Sequence, residues 1–299
     1  MTAPEPFVVM IDGLIVSPDR AVLSVFDRGF LYGDSVYEVM RTYDGVVFAL
    51  REHMERLFRS ARQVFIDIPV SEEQLTSEVL QVAAALPGPS LSVRVHVTRG
   101  EGPLGHDFAA VHDPKRVIIA VPMHPPSDED YRRGIAVALF RTQRTVDNTP
   151  AAGAKVANYL VSLLALREAH ATGAKEAIIV DGRGRVLEGA TSNVFVVRGG
   201  ELVTPPESEG ILSGITRSYL LRAAASIGIS VRETSLTRGD LVDADEVFLS
   251  STSREVLPVT TVDGSLIAAG QVGPVTRSIH RAFRKLGGLP PMLPGETPG

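Results

Sequence analysis

Apolar side chains at Met54, Leu57, Phe58, Ala61 and Val64 recur at spacings of three and four, which predicts a helix from His53 to Val64 with Arg56 beside its apolar stripe. A second helix is expected over Glu72–Ala85, opened by Ser71 as N-cap and stopped by Pro87-Gly88-Pro89. Residues 91–97 alternate between apolar and polar, as a half-buried strand does, and residues 117–121 form a continuous apolar run suited to a buried strand. Ahead of these, residues 7–10 and 14–16 flank Asp12-Gly13 and read as a hairpin; residues 21–25 and 46–50 read as further strands. Pro, Ser and acidic residues over 122–130 suggest a linker.

The second half is expected to be richer in strands. Residues 134–140 open it, followed by a helix that Asn158 can cap, with Leu160, Leu163 and Leu164 on its apolar stripe and Gly173 at its end. A meander over 177–180, 185–187, 194–197 and 202–203 follows, punctuated by Asp181-Gly182 and Gly199-Gly200. Then come a helix over 216–227, a strand at Val231, another over 246–252, a hairpin over 259–267 around Asp263-Gly264, and a closing helix over 275–286. The pattern predicts an α+β protein with a small α/β domain over 1–122, a linker over 123–130 and a larger domain over 131–286. A Gly- and Pro-rich tail over 287–299 is expected to fray.

Composition narrows the function classes. A chain of 299 residues, 44% hydrophobic and 22% charged, can bury a full core and suits two domains better than one. With no cysteine, disulfides and thiolate chemistry are excluded, and the 7 histidines show no zinc-binding spacing, so no metal site is expected. A net charge of −5 offers no basic field for nucleic acid, and no apolar run approaches the ~18 residues of a membrane span. The first residues lack the basic and apolar segments of a secretory signal, which makes the cytoplasm the expected compartment. Gly100-x-Gly102-x-x-Gly105 has the form of a dinucleotide fingerprint, but no helix pattern follows it and no βαβ unit surrounds it.

The candidate chemistry lies between Pro150 and Thr216. Of the lysines at 115, 155, 175 and 285, only Lys155 lacks charged neighbours; desolvation there disfavours the ammonium and favours the nucleophilic amine. Glu188 lies between two strand-like runs, and Gly214-Ile215-Thr216 opens a helix whose free N–H groups suit a phosphate. Amine, carboxylate and anion cradle are what pyridoxal 5'-phosphate requires: an amine to condense with its aldehyde, an anion to keep its ring nitrogen protonated, and a phosphate anchor. Upstream, Arg28, Tyr32, Tyr37 and Arg41 read either as the lining of a polar pocket or as a packed corner with its arginines solvated.

Ala154-Lys155-x-x-Asn158-Tyr159, Glu188-Gly-Ala-Thr-Ser-Asn193-Val-Phe and Gly210-Ile-Leu-Ser-Gly-Ile-Thr-Arg217 together resemble the fold-type IV pyridoxal-phosphate aminotransferases. This family includes branched-chain and D-amino-acid aminotransferases, (R)-amine transaminases and aminodeoxychorismate lyase. Tyr32-Gly-x-x-x-Tyr37-Glu-x-x-Arg41, His53-x-x-Arg56-Leu57 and Asp245-Glu-Val-Phe-x-x-Ser251-Thr252 extend the likeness over roughly residues 8–286. The resemblance implies that Lys155 holds the cofactor covalently and moves the proton at the substrate Cα. It also implies Glu188 at the pyridine nitrogen, Tyr159 at the ring's phenolic oxygen and Leu212 against a ring face. Arg56, the Ile215 and Thr216 amides, and the Thr216 and Thr252 hydroxyls would hold the phosphate, with Asn193 among the cofactor's neighbours.

The family fold, a small α/β domain and a larger one with a pseudo-barrel of strands, is implied likewise, as is a homodimer in which the loop carrying Arg28 and Tyr32 reaches toward the neighbour's active site. The substrates would be an amino acid and a 2-oxo acid such as 2-oxoglutarate or pyruvate. Arg94 and Arg28 are the candidates for the substrate carboxylate, ahead of Arg41, with Tyr32, Tyr37 and Ser253 also in the substrate pocket. Residues 26–39 are similar to the D-amino-acid branch, yet Leu104 occupies the slot of that branch's carboxylate-binding arginine; Arg94 falls where the L-branched-chain branch has one. Aliphatic amino acids, L-branched-chain or D, are the expected substrates, with a lyase or an (R)-amine transaminase as the alternatives.

Overall fold

The computed structural model describes residues 6–142 and 151–296; Pro150, the first five residues and the last three residues of the expected tail lie outside them. Contacts divide the chain into two units, Met1–His124 with Thr149–Tyr159, and Pro125–Asn148 with Leu160–Gly299.

In the first unit, β1 (Val8–Ile11) and β2 (Leu14–Val16) form the expected hairpin, with Asp12 and Gly13 both at positive φ. They are followed by α1 (Arg28–Tyr32), β3 (Ser35–Tyr43), β4 (Val46–Val47), α2 (Leu50–Gln63), α3 (Glu72–Ala85), β5 (Leu91–Thr98) and β6 (Arg116–Pro122). The six strands form an antiparallel sheet in the order β2-β1-β6-β5-β3-β4. Strand alternation turns Val36, Met40, Val93, Val95, Ile118 and Ala120 toward α2 and α3, where Met54, Leu57, Leu75 and Val79 meet them in one buried cluster. The opposite face carries Tyr37, paired with His96, and Val39, paired with Arg94. As predicted, Ser71 caps α3, its hydroxyl accepting from the Gln74 N–H at 3.2 Å.

Two expectations fail here. Residues 21–25 are not a strand: the sheet ends at β2, and Val22 and Val25 stay 70% and 62% exposed. The strand at Val46 ends at Val47, because Ala49 adopts a left-handed φ of 50° and α2 begins at the next residue. The glycine-rich loop after β5 contains no helix, and Gly100 has a packing role: a Cβ there would meet the Asp113 backbone at 2.7 Å.

The second unit runs through α4 (Asp128–Arg133), β7 (Ile135–Arg141), α5 (Leu160–Ala171), β8 (Glu176–Val180), β9 (Arg185–Gly189), β10 (Asn193–Arg198) and β11 (Glu201–Thr204). It continues with α6 (Ile215–Ser226), β12 (Val231–Glu233), β13 (Leu236–Thr237), α7 (Arg238–Val242), β14 (Glu246–Ser251), β15 (Glu255–Val262), β16 (Ser265–Leu266) and α8 (Pro274–Leu286). A ten-stranded mixed sheet is its backbone, in the order β12-β11-β10-β14-β15-β7-β8-β9-β13 with β16 on β15. Ile178, Val194, Val247, Leu249 and Val259 fill the core against it, and α6 packs on α8. The fold is α+β, as the sequence pattern predicts.

Three boundaries differ from expectation. The linker contains the start of α4, where Ser127 and Asp130 form a capping box. Residues 287–296 do not read as loose: Leu293 is buried and Arg281 pairs with Glu296 at 2.6 Å, so an apolar anchor and an ion pair outweigh the Gly and Pro content. The segment ending at Tyr159 groups with the first unit, because it extends the edge of β3: Tyr37 N–H donates to the Lys155 carbonyl at 3.1 Å and Ala157 N–H to the Ser35 carbonyl at 2.9 Å.

Candidate active site

Lys155 enters the first unit through that edge. Its backbone N–H donates to the Ser60 hydroxyl on α2 at 3.1 Å, and its half-buried side chain places Nζ 3.1 Å from the Tyr37 hydroxyl and 4.3 Å from the centre of the Tyr37 ring. Tyr37 is the hub of an aromatic cluster. His96 stacks on it at 5.4 Å, Tyr159 meets it edge-on at 5.7 Å, and the exposed Arg94 holds its guanidinium 5.4 Å from the ring centre. Burial, with Tyr159 beside it, pushes the Tyr37 phenol well above its usual pKa, so the hydroxyl stays protonated beside the amine. Burial and the Arg94 charge lower His96 to about 4, which leaves the stacked imidazole neutral at pH 7.

Behind this cluster lies a buried ionic group. Arg56 on α2 makes a two-point contact with Glu38, Nε to Oε1 at 2.6 Å and Nη2 to Oε2 at 2.8 Å, and His53 Nδ1 reaches Glu38 Oε2 at 2.7 Å. Burial alone would raise the Glu38 carboxyl, but the Arg56 and His53 partners bring it down to about 2. Burial lowers His53, so its ring is neutral, its Nδ1 proton goes to Glu38, and its buried Nε2 has no hydrogen-bond partner among the described residues. Sequence reasoning selects Arg56 but misses Glu38 and His53. The available signal is the alternation of β3: Glu38 occupies a core-facing position between Val36 and Met40, where a carboxylate needs a dedicated cation.

The other upstream candidates are placed differently. Arg28, buried in α1, pairs with Asp34 at 3.0 Å, donates to the Gly105 carbonyl and lies over the Tyr32 ring at 4.8 Å. Its burial departs from the packed-corner reading, which leaves the arginines solvated. Tyr32 itself accepts from the Gly105 N–H at 3.3 Å. Arg41 shares the sheet face of Tyr37 but donates to the Ser90 hydroxyl and stacks over Tyr43 at 4.5 Å, toward the far end of the strand. Arg94 is the arginine of this set whose guanidinium lies over the Tyr37 ring.

The second unit gathers Glu188, Asn193, Leu212, Ile215 and Thr216. Glu188, at the end of β9, accepts from the Leu212 N–H at 3.1 Å, while Asn193 Nδ2 donates to the Leu212 carbonyl at 3.1 Å, so the backbone before α6 is held on both sides. Gly214 is the N-cap of α6 and, as a glycine, brings no side chain to cap the helix's first N–H groups. Ile215 and Thr216 are buried in the first turn, and the positive end of the helix is left for an anion. Thr252 and Ser253 occupy the turn between β14 and β15, where the Ser253 hydroxyl lies 3.2 Å from that of Ser251. A helix start whose N-cap is a glycine, with a half-buried carboxylate fixed beside it, fits a phosphate-bearing, ring-cationic cofactor.

Gly214 itself is required for space. A Cβ there would fall on Asn193 Oδ1 and stand 3.1 Å from Arg217 Cβ, although its φ of −68° suits any residue. Gly214→Ala should therefore push Asn193 off the Leu212 carbonyl, lower stability by about 1–3 kcal/mol and weaken cofactor binding. Thermal melting and a cofactor titration of the variant check this; an unchanged titration would show that the Asn193 contact does not shape the cradle.

Comparison with known proteins agrees with this arrangement. The family described as "Amino-transferase class IV" matches residues 35–262. A Methanocaldococcus jannaschii protein, provisionally named a branched-chain-amino-acid aminotransferase, is 41% identical over 278 residues, covering 93% of this chain and 96% of its own. The D-alanine aminotransferase of Bacillus licheniformis is 33% identical over 276 residues, covering 92% of this chain and 95% of its own. Among solved structures, the branched-chain amino acid aminotransferase of Escherichia coli superposes with a TM-score of 0.89 at 36% identity, over 94% of each chain. Fold, motifs and relatives therefore converge on one assignment: this chain belongs to the class IV aminotransferases and is a transaminase of fold type IV.

Proposed function

We propose that the enzyme uses pyridoxal 5'-phosphate to exchange nitrogen between an L-amino acid with an aliphatic side chain and a 2-oxo acid such as 2-oxoglutarate or pyruvate. The observation that carries this reading is the Lys155 amine at the Tyr37 hydroxyl, with Arg94 above the same ring. When bound, the cofactor supplies an electron sink that acidifies the substrate Cα–H.

The chain's own residues supply the rest. Lys155 would hold the cofactor and move the proton at Cα; the neutral Tyr37 hydroxyl keeps the amine directed without competing for its proton. Glu188, anchored by the Leu212 N–H, would present its carboxylate to the ring nitrogen, and Leu212 would lie against the ring. Tyr159 is assigned to the ring's phenolic oxygen. Arg56, Thr252 and the Ile215–Thr216 start of α6 take the phosphate, with Asn193 fixing the cradle and Glu38 holding the Arg56 guanidinium in one orientation. Arg94 is assigned to the substrate carboxylate, because Arg28 is spent on Asp34 and Gly105 and Arg41 lies at the far end of β3. Ser253 and Tyr32 complete the substrate set.

L-Leucine with 2-oxoglutarate should be turned over at a rate at least tenfold above D-alanine, read by formation of glutamate; preference for D-alanine would overturn the assignment to L-substrates. The second reading has its own support, since a D-alanine aminotransferase is among the relatives. Elimination as in a lyase is less favoured, because the relatives described above are named for nitrogen transfer. We further infer a cytoplasmic homodimer. Val22, Val25, Phe26 and Phe30 are between 52% and 71% exposed in the single chain, an apolar stretch that a second copy would cover. No helix among the described residues is long and apolar enough to cross a membrane.

A further inference from the structure

The turn that carries Thr252 and Ser253 is held by a buried cross-link that the mechanism above does not use. Glu176, at the start of β8, is fully buried. Its Oε2 accepts from the Thr191 hydroxyl at 2.7 Å and pairs with Arg254 Nη1 at 2.7 Å, while Oε1 accepts from the Ala177 N–H at 3.1 Å. Arg254 Nη1 also donates to Thr191 Oγ1 at 2.7 Å, so the three side chains close a ring. Thr191 belongs to the short connection between Glu188 and Asn193; the ring therefore ties the turn after β14 to the loop that follows Glu188.

The same turn is pinned from other sides. The Tyr131 hydroxyl on α4 donates to the Arg254 carbonyl at 2.8 Å. Glu255, a non-glycine residue with φ of 56°, is kept in that unfavourable backbone region by His280 at 2.8 Å and Arg284 at 2.7 Å, both on α8. A buried ion pair is seldom a better source of stability than an apolar pair of the same volume, and what it adds is direction. Here the direction is imposed two residues from Thr252.

We propose that Arg254 is a positioning residue: through Glu176 and Thr191 it sets where Thr252 and Ser253 stand relative to the Glu188 loop, and so determines the grip on the cofactor phosphate. This rests on the assignment of Thr252 to the phosphate. The test compares binding of pyridoxal 5'-phosphate and of pyridoxal, which lacks the phosphate, to the full-length apoprotein and its variants. Arg254→Met should weaken pyridoxal 5'-phosphate about tenfold and leave pyridoxal within about twofold. Because that variant leaves Glu176 as a buried unpaired charge, the double variant Glu176→Gln with Arg254→Met is measured beside it. Its melting temperature should recover toward the parent while the phosphate-specific loss persists.

Equal weakening of both ligands, or recovery of phosphate affinity along with melting temperature, would reduce the cross-link to a stabilising element and overturn the proposal. Thr252→Ala separates the premises. If it weakens pyridoxal 5'-phosphate and Arg254→Met does not, the positioning role fails alone; if Thr252→Ala has no effect, the phosphate assignment fails first.

Discussion

Lys155→Ala should lower transamination by about 1000-fold or more while leaving the fold intact, because on the proposed mechanism it would remove the cofactor's anchor and the proton carrier together. The side chain is half-buried and reaches the Tyr37 hydroxyl and ring. The backbone bonds that place the segment, Lys155 N–H to Ser60 and Tyr37 N–H to the Lys155 carbonyl, survive the substitution. The measurement is a half-reaction with L-leucine followed spectroscopically, beside thermal melting. A variant that keeps parental turnover would refute the mechanism, and the Lys155 assignment with it.

Glu38→Ala should produce the largest loss of stability, about 3–5 kcal/mol, because it removes the carboxylate that the buried Arg56 guanidinium meets at two points and that His53 Nδ1 meets at a third. Cofactor affinity should fall too, since an unbraced Arg56 no longer presents one orientation to a phosphate. Acid provides a second reading. The folded-state pKa of Glu38, about 2, lies below its ordinary 4.5, so the carboxylate's contribution is fully present above about pH 4.5 and is lost as pH falls through about 2. With respect to this group, the stability gap between parent and Glu38→Ala should stay constant above pH 4.5 and narrow below it. Denaturant titrations across that range check both points; a gap that widens on acidification would contradict the ion-pair account.

Much of the chain was legible residue by residue. The stripe of Met54, Leu57 and Ala61, the Ser71 cap and the alternation of residues 91–97 each specify a local conformation, and the structure forms all three. Lys155, Glu188 and Gly214-Ile215-Thr216 could be singled out because their chemistry departs from their immediate surroundings. Residues 21–25 show the limit: they are apolar enough for a strand, but a strand forms only where tertiary pairing recruits it, and the sheet ends at β2 without them. The same limit applies to charges. Arg28, Arg41, Arg56 and Arg94 look alike along the chain, yet one is paired to Asp34, one donates to Ser90, one is buried on Glu38 and one lies exposed over Tyr37. Local sequence determined which segments coil, extend and turn, since those preferences act over a few residues. Only the tertiary structure decided which cation keeps its charge available and which carboxylate is buried, because desolvation and ion pairing depend on neighbours distant in sequence.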